Sequence, residues 1–232
     1  MSQDNKPRLI SFINELRKSI LFLGGAIVIV TIVFYTLSPQ ILDFFQKHLD
    51  QQLAFFTVAE PFLAHAKLAL FSALFVLMPG LAYCLWKALA KAFSLSTGQF
   101  VWFVLFTCLL FYSGAFFCYA ITLPFGVKFL LDFQSAQLKP IISIDKFVSF
   151  VAIFILAFGT IFELPIFMIF SSRVGLIPRK SFEKNRRYAV LAISIIAALL
   201  TPTPDVVNML LMGVPLYLLY EMGILVLKMM KV

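Results

Sequence analysis

Charged side chains are scarce in this sequence. They make up 13% of its 232 residues, whereas hydrophobic residues make up 62% and the mean hydropathy is +0.98. An average soluble domain has about 25% charged and roughly 45–50% apolar residues. A water-soluble fold of this length has no way to hide so much apolar surface. The composition therefore predicts an integral membrane protein.

Cysteine and histidine are also rare, and neither occurs in a metal-binding pattern. The three cysteines, Cys84, Cys108 and Cys118, lie in or beside apolar segments, and the histidines are His48 and His65. The sequence contains no CxxC or HExxH element. We therefore expect buried free thiols in preference to a disulfide or redox pair, and we expect no metal or other cofactor.

Patterns typical of enzymes and of nucleic-acid-binding proteins are missing. There is no GxGxxG or phosphate-binding loop, and Ser113-Gly114 has no histidine near it to form a serine-protease triad. The net charge of +8 comes from short basic clusters between apolar runs, without interleaved aromatic residues on a polar surface. We therefore expect no enzymatic activity and no nucleic-acid partner, and we interpret the basic clusters as topology signals.

Six apolar segments run along the chain, and helices are the structures that satisfy their own backbone hydrogen bonds in lipid at these lengths. The sequence therefore predicts an all-α integral membrane fold in which residues 1–232 form one domain of six transmembrane helices. The segments are residues 19–37, 62–85, 100–123, 147–171, 188–200 and 206–227.

The distribution of lysine and arginine predicts the orientation of these helices. With six spans, fourteen of the 19 basic residues fall on one side, four fall on the other, and Lys67 lies within a helix. By the positive-inside rule, both termini are cytoplasmic. Residues 1–18 then form a cytoplasmic N-terminal segment, and residues 38–61 and 124–146 are outer loops. The first apolar run is too long for a signal-peptide core, so we expect it to remain as a membrane helix.

The outer loops carry signs of order. Between residues 39 and 49, apolar and polar side chains fall on opposite helical faces, which predicts a short helix lying at the outer membrane surface. The loop 124–146 is also predicted to be partly ordered. Ser143 or Asp145 is a candidate cap for the fourth membrane helix.

The fifth segment is unusually short. Its 13 residues make about 20 Å of helix, against a hydrocarbon core of about 30 Å. The sequence Thr201-Pro202-Thr203-Pro204-Asp205 then ends it. We expect the last two membrane helices to be short. Two explanations remain open: the bilayer thins around the fifth helix, or neighbouring helices shield it.

Ionisable residues inside membrane helices are costly and therefore mark candidate functional sites. Glu163 lies in the fourth segment just before Pro165, which should kink the helix. Lys67 lies in the second segment. A structural hydrogen bond is the alternative for Glu163, and snorkelling towards the outer surface is the alternative for Lys67. If both act on a solute, the chain is a small-solute carrier or channel.

Two further acids lie near the ends of the last helix. Glu221 follows Tyr220 towards the predicted cytoplasmic end, where it either has a function or reaches headgroup water. Asp205 follows Pro204 at the start of the helix, where a capping carboxylate is common. We therefore assign Pro204, Asp205, Tyr220 and Glu221 to a hairpin whose role is either structural or functional.

A series of motifs, taken together and in this order, resembles the TatC family, the membrane receptor subunit of the twin-arginine protein translocase. The motifs are Asn14-Glu15-Leu16-Arg17-Lys18, Glu60-Pro61-Phe62 with Lys67, Phe111-Tyr112 with Gly114, Tyr119 and Pro124, Phe158-Gly159-Thr160-Ile161-Phe162-Glu163-Leu164-Pro165, Arg187-Tyr188, Thr201-Pro202-Thr203-Pro204-Asp205, Pro215, and Leu219-Tyr220-Glu221.

The resemblance implies a curved wall of six helices with a concave polar face. It implies that the chain binds twin-arginine signal peptides of folded precursors at its cytoplasmic side and takes part in export driven by the proton-motive force. The implied partners are the single-span subunits TatA and TatB, further copies of the chain, and the lipid bilayer. The implied location is the bacterial cytoplasmic (inner) membrane, with an organellar membrane as the alternative.

The resemblance also assigns roles to particular residues. Glu15, with Leu16 and Arg17, matches the family's N-terminal element for signal-peptide recognition, and Glu163 matches its polar residue in the concave face. One feature departs from the family, which usually has an acidic residue in the first cytoplasmic loop. Here no acid occurs between Glu60 and Asp132.

Overall fold

The computed structural model describes residues 5–49, 53–131, 142–200 and 206–230, with side chains in the first helix described mainly from Arg17 onwards. These residues form α-helices, one π-helical turn at Cys118–Thr122 and two short strands. The helices are α1 (Asn5–Leu49), α2 (Glu60–Val76), α3 (Met78–Phe93), α4 (Thr97–Phe117), α5 (Leu123–Leu131), α6 (Ile144–Ile161), α7 (Leu164–Arg173), α8 (Arg179–Lys184), α9 (Arg186–Leu200) and α10 (Val206–Met229); the strands are β1 (Leu53–Ala54) and β2 (Ile142–Ser143).

Within the described ranges, four helical segments are long and apolar enough to cross a membrane: Leu21–His48, Thr97–Lys128, Ile144–Arg173 and Met212–Met229. The bent pair α2 and α3 makes a fifth if it counts as one span. Large apolar side chains on these segments point outwards; Phe22 is 79% exposed and Phe116 is 69% exposed. Such exposure suits a multi-pass membrane protein, whose solvent is lipid. The count of six spans stays a prediction.

The first helix is longer than predicted. α1 is continuous over 45 residues with Pro39 inside it, so the expected separate surface helix at residues 39–49 is wrong. Proline has no N–H, and the carbonyl of Tyr35, four residues earlier, loses its helical donor. The Ser38 hydroxyl donates to that same carbonyl at 2.7 Å. A serine bond of this kind lets a membrane helix continue through proline.

The second predicted segment is two helices. α2 and α3 meet at Leu77 with a bend of 52°. Pro79 lies in the first turn of α3, where its missing N–H costs nothing, but its ring disfavours a straight continuation of α2. This bend was not predicted from the sequence.

The two segments predicted as outer loops are ordered where the structure describes them. α1 extends to Leu49, β1 pairs in parallel with β2, and α5 covers Leu123–Leu131. The pairing joins Leu53 to Ile142 and Ala54 to Ser143. It brings the end of α1 and the starts of α2 and α6 to one end of the molecule. The prediction of partial order in the second outer loop is confirmed.

The fourth predicted segment is interrupted where Pro165 predicts a disturbance. α6 ends at Ile161, α7 begins at Leu164, and Pro165 lies in the first turn of α7. Glu163 occupies the N-cap position between the two helices. Pro165 is predicted to kink the helix near this place, and the regular helix is interrupted here between Ile161 and Leu164.

The chain divides into two compact units. Unit 1 contains Met1–Leu109 and Pro140–Leu156, and unit 2 contains Leu110–Lys139 and Ala157–Val232. In unit 1, Trp86 stacks on Phe103 at 4.4 Å and donates its indole N–H to Thr107 at 2.8 Å. In unit 2, a buried cluster joins α7, α9 and α10; it contains Met168, Ile193, Leu216, Leu219, Tyr220, Ile224 and Leu227.

Candidate functional site

The candidate site in unit 2 is centred on Glu163. Its side chain is only 4% exposed, and among the described residues its Oε1 atom has no hydrogen-bond partner. The backbone of Glu163 is anchored, because its N–H donates to Thr160 and its carbonyl accepts from Ile166 and Phe167. A buried carboxyl oxygen without a partner is costly, and it is available to accept a hydrogen bond from an incoming donor.

Two glycines let the helices around Glu163 approach closely. A Cβ on Gly114 of α4 would lie 2.6–2.8 Å from the Phe162 side chain and the Phe158 carbonyl. A Cβ on Gly159 of α6 would lie 2.6 Å from the ring of Phe111 on α4. Gly114 of α4 thus faces Phe162, the residue after α6, and Gly159 of α6 faces Phe111 of α4. This reciprocal packing fixes the segment that carries Glu163.

The last helix also packs closely against the start of α7. A Cβ on Gly223 of α10 would lie 2.8 Å from the sulfur of Met168 and 3.4 Å from the Cα of Pro165. α10 therefore passes beside the first turn that follows Glu163. The buried acid is enclosed by elements from both sides of the break.

A second polar cluster in unit 2 contains Glu221. Arg186 donates to both carboxylate oxygens of Glu221, from Nε at 2.9 Å and from a terminal nitrogen at 3.0 Å. Tyr217 donates its hydroxyl to Glu221 at 2.9 Å. Bidentate arginine pairing is a strong form of charged hydrogen bond. Glu221 therefore joins the start of α9 to α10.

Tyr220, the residue before Glu221, makes a second connection from α10. Its side chain is buried, and its hydroxyl donates to the backbone carbonyl of Phe182 in α8 at 2.8 Å. Two adjacent residues of α10, Tyr220 and Glu221, thus bind α8 and α9 respectively. Pro204 and Asp205, the other predicted residues of this hairpin, lie outside the described residues.

Lys67 belongs to a separate cluster in unit 1. Its ammonium group donates to both carboxylate oxygens of Asp145, at 2.6 and 2.8 Å, and to Ser149 at 3.3 Å. Ser143 donates its hydroxyl to Glu60 at 3.2 Å. Ser143 and Asp145, the two candidate caps for the fourth predicted membrane helix, thus both bond to residues of α2. Lys67 is an ion-paired residue that holds α2 to α6.

The N-terminal recognition element lies within α1. Glu15 and Leu16 are helical, but their side chains are outside what the structure describes, and Arg17 is exposed. Their assigned role stays a prediction.

The turn between α3 and α4 corresponds to the predicted first cytoplasmic loop. In the family that this sequence resembles, that loop usually contains an acidic residue. Ser94 adopts a left-handed backbone conformation that ends α3. Ser96 and Gln99 then bond reciprocally, with backbone N–H to side-chain oxygen distances of 3.1 and 3.4 Å, as in a capping box. Thr97 and Gly98 lie between them in the first turn of α4, and both are exposed.

Two partners were missed from the sequence. Asp145 and Arg186 neutralise Lys67 and Glu221, yet each lies more than 30 residues from its partner in the chain. Helical spacing predicts pairs three or four residues apart, as between Asp43 and Lys47. A bond between distant helices has no such local signal.

Known proteins are similar to this chain over nearly its whole length. The family model described as "Sec-independent protein translocase protein (TatC)" matches residues 11–215. The TatC protein of Carboxydothermus hydrogenoformans is 31% identical, over 99% of this chain and 96% of that protein. The TatC protein of Helicobacter pylori strain J99 is 32% identical, over 100% of this chain and 91% of that protein.

A solved structure agrees with this assignment. The crystal structure of the twin arginine translocase receptor TatC in the detergent DDM has a TM-score of 0.81 and 28% sequence identity to this chain. The match covers 93% of this chain and 98% of the crystallised one. The chain therefore belongs to the TatC family of Sec-independent protein translocase proteins.

Proposed function

We propose that this chain is the receptor subunit of a twin-arginine translocase in a bacterial cytoplasmic membrane. It binds the signal peptides of folded precursor proteins and organises their export, which the proton-motive force drives. The observation that carries this proposal is the similarity to a twin arginine translocase receptor, at a TM-score of 0.81 over 93% of the chain. Like that receptor, it would work as a transport subunit and not as an enzyme.

The proposed topology has six spans with both termini in the cytoplasm. Four described segments are long enough to span, and the bent pair α2 and α3 is a fifth. The sixth would be α9, whose 15 residues extend about 22 Å. This helix spans if the bilayer thins around it, as the short predicted fifth segment suggests. The order and lengths of the helices support this arrangement.

Glu15 is the proposed carboxylate for a signal-peptide arginine. An arginine presents a rigid fork of donors that suits a carboxylate. Two other acids on the proposed cytoplasmic side are already paired with arginines of this chain: Glu183 lies 3.3 Å from Arg179 in an ion pair, and Glu221 is hydrogen-bonded to Arg186. They are less available to a ligand. Glu15 precedes the first span directly, where a signal peptide would reach the membrane.

Glu163 is the proposed polar contact within the membrane. It is buried in unit 2, with Oε1 unbonded among the described residues. Intramembrane acids are retained at a cost and mark functional sites by default. We infer that Glu163 accepts a hydrogen bond from the translocating segment or from a partner helix.

The proposed partners are TatA- and TatB-like single-span subunits and further copies of this chain. We do not propose the solute-carrier alternative, which requires Lys67 to contact a solute. Lys67 instead bonds to Asp145 and Ser149, which satisfies all three of its ammonium hydrogens.

The test is binding of a twin-arginine signal peptide to the purified chain together with site-specific crosslinking from residues near Glu15. Glu15→Gln should lower the affinity at least tenfold, because a charged bidentate bond is worth about 1.5–3 kcal/mol. Glu183→Gln is the matched control and should change the affinity little. Absence of any crosslink to the precursor would reject the receptor function. Unchanged affinity of Glu15→Gln would reject only this recognition residue.

Thr97→Glu gives a complementary arm of the test. An acid at the exposed first turn of α4 is favoured by the helix dipole and would restore the acid of this loop. We expect the wild-type chain to tolerate one Arg→Lys change in the signal peptide. The Thr97→Glu variant should bind more tightly and require both arginines.

A further inference from the structure

The chain from the end of α7 to the start of α9 carries mostly positive charge. This segment, residues 173–188, includes the short helix α8 and is called the α7–α9 connection below. One of its residues, Glu183, is acidic and six are basic. The basic residues are Arg173, Arg179, Lys180, Lys184, Arg186 and Arg187. A topology signal requires only such a count, but the contacts of these residues carry further information.

Two of the six basic residues have acidic partners. Arg179 forms an ion pair with Glu183, and Arg186 is hydrogen-bonded to Glu221 of α10. The other four are exposed, and within the described part of the chain none of them has a carboxylate partner. These four are Arg173, Lys180, Lys184 and Arg187.

The single acid of the connection neutralises it only weakly. The Nε atom of Arg179 lies 3.3 Å from the nearer oxygen of Glu183, yet this atom makes no hydrogen bond to any described residue. Both side chains are about one third exposed, so the attraction between them is screened by solvent. The positive charge of the connection therefore extends over α8 and the start of α9.

The helix α8 holds two of the cations side by side. Lys180 and Lys184 lie on one face of α8, because residues four apart in a helix are neighbours on its surface. Like charges at this spacing destabilise a helix. Phe182, between them in the chain, packs on the other side of α8 against the buried cluster of unit 2. The ring thus anchors α8 to the bundle while both lysines stay on the exposed side.

Exposed apolar side chains lie in the same connection. Leu176 is 60% exposed and Ile177 is 40% exposed, in the turn that follows α7. Tyr188 at the start of α9 is also exposed, and the Arg187 guanidinium lies 4.9 Å from the centre of its ring. Tyrosine and arginine at the ends of apolar helices are typical of the interface between membrane and water.

The cations and the apolar side chains together favour one class of occupant. A soluble anion such as inorganic phosphate would match the cations but would leave Leu176 and Ile177 in water. A phospholipid without net charge would match the apolar side chains but would not balance the cations. An anionic phospholipid offers phosphate oxygens and acyl chains at once. Clusters of roughly four to eight lysine and arginine residues beside a membrane helix are typical binding sites for anionic headgroups.

We propose that the α7–α9 connection binds the headgroup of an anionic phospholipid in the leaflet at which α7 ends and α9 begins. Lys180, Lys184 and Arg187 contact the phosphate oxygens, and Leu176 and Ile177 insert beside the first carbons of the acyl chains. Arginine suits a phosphate because its donors form a fixed fork, and each lysine adds a point charge. This site is separate from the signal-peptide recognition proposed at Glu15, so either proposal can fail without the other.

The test compares two lipids with identical, fluorescently labelled acyl chains, phosphatidylglycerol and phosphatidylcholine. Each is titrated onto the purified full-length chain in a neutral detergent. Wild type should bind phosphatidylglycerol about tenfold more tightly than phosphatidylcholine, because several surface cations act together. The difference should shrink as salt is raised, because salt screens exposed charges.

Three variants test the parts of the site. Lys180→Gln combined with Lys184→Gln should lower the affinity for phosphatidylglycerol about tenfold and leave that for phosphatidylcholine unchanged. Glu183→Gln should raise the affinity for phosphatidylglycerol, because it removes the one negative charge of the connection. Leu176→Ser combined with Ile177→Ser should weaken the binding of both lipids.

Lys47→Gln combined with Lys128→Gln is the matched control for the lysine variant. Both of these lysines are exposed, and they lie in α1 and α5, outside the connection. The control removes the same two positive charges from the protein. It should leave the affinity for phosphatidylglycerol within about twofold of wild type, because exposed charges act over only about 10 Å at 0.1 M salt.

Several outcomes would overturn the proposal. Equal affinity of wild type for the two lipids would mean ordinary boundary lipid. Unchanged binding of phosphatidylglycerol to the lysine variant, or an equal loss in the control, would mean that the connection is not the site. Displacement of the lipid by inorganic phosphate at equal concentration would indicate a site for soluble anions. Displacement by a soluble polyglutamate peptide would assign the surface to an acidic protein segment.

The lysine variant should fold, because both side chains are exposed. Its unfolding midpoint without added lipid should equal that of wild type. If the double variant does not fold, Lys180→Gln and Lys184→Gln are measured separately. Each should lower the affinity for phosphatidylglycerol about threefold, and no loss in either would reject the site.

Discussion

The ring of Phe111 lies where a side chain on Gly159 would have to be, 2.6 Å from the position of its missing Cβ. Phe111 is almost completely buried, so the ring has no space into which to move. The converse contact, Gly114 beside Phe162 and the Phe158 carbonyl, makes the packing reciprocal. These contacts determine how closely α4 approaches the segment that carries Glu163.

Gly114→Ala should therefore destabilise the protein by about 1–3 kcal/mol, the range for overpacking a well-packed site. The gain of up to about 1 kcal/mol in helix propensity offsets part of this loss. Gly213→Ala is the control, because its added Cβ would meet no atom within 4 Å. Thermal unfolding in detergent should show a lower midpoint for the first variant and no decrease for the second. A midpoint of Gly114→Ala equal to that of wild type would contradict the packing argument.

Ser38 should stabilise the protein mainly because Pro39 follows it. Ser38→Ala leaves the Tyr35 carbonyl without its hydroxyl donor and should cost about 1–3 kcal/mol. In a Pro39→Ala background the N–H of residue 39 returns, and the same serine substitution should cost less. The residual cost would come from the contact of Ser38 with His65 at 2.9 Å.

Thr36→Ala is the control for this pair of variants. Thr36 also donates to a helical carbonyl, that of Val33, at 2.7 Å, but that carbonyl keeps its normal helical donor. The unfolding midpoints of Ser38→Ala, Pro39→Ala, the combined variant and Thr36→Ala should therefore separate two roles of Ser38. One role is its bond to the Tyr35 carbonyl, and the other is its contact with His65. An equal cost of Ser38→Ala with and without Pro39 would show that the proline is irrelevant.

Glu163→Leu should lower export by at least tenfold while the protein remains inserted at normal abundance, since the carboxyl accepts no hydrogen bond at Oε1 within the described residues. Glu163→Gln keeps the volume and a hydrogen-bonding group, so its export should be intermediate. Export of a twin-arginine precursor and the level of the variant in membranes are measured together. If abundance falls and export per molecule is unchanged, the residue is structural.

Lengthening α9 by four leucines should lower export without impairing insertion. The 15-residue helix would gain about 6 Å and would match the bilayer more closely. Four leucines inserted after Met229, the exposed last residue of α10 and beyond its buried cluster, serve as the control for insertion itself. Full export by the lengthened α9 variant would mean that a thinned bilayer is not needed.

The ion pair between Lys67 and Asp145 should be replaceable by apolar residues. Lys67→Met or Asp145→Leu alone should each destabilise the protein, because one charge remains without its partner. The combined Lys67→Met and Asp145→Leu variant should recover most of the stability and should still export. Both side chains are partly exposed, so a coupling energy of about 1 kcal/mol is expected. Loss of export in a stable double variant would instead assign Lys67 a direct function.

The sequence predicted what depends on local chemistry. The apolar runs, the break at Pro165 and the order in the second outer loop follow from hydropathy and from backbone donors. The prediction of a separate surface helix from residue 39 was wrong, because α1 continues through Pro39. The compensating hydrogen bond from Ser38 depends on the rotamer of one side chain, which the sequence does not reveal. The ion pair of Lys67 and the arginine bond of Glu221 depend on which helices become neighbours, and chain spacing carries no signal for that.

The continuity of α1 has a mechanical consequence. Its 45 residues extend about 68 Å, which is well beyond the roughly 40–45 Å that a direct crossing of a complete bilayer requires. The Cα atoms of Glu15 and Ser38 are separated by 23 helical residues, about 35 Å, with no break between them. Because the helix is continuous, the packing around Ser38 determines the direction in which Glu15 faces. Each residue inserted between them would rotate that direction by about 100° around the helix axis. A single-residue insertion between them would turn Glu15, the proposed recognition residue, to another face of the helix. A seven-residue insertion would nearly restore its direction and move it about 10 Å along the helix axis.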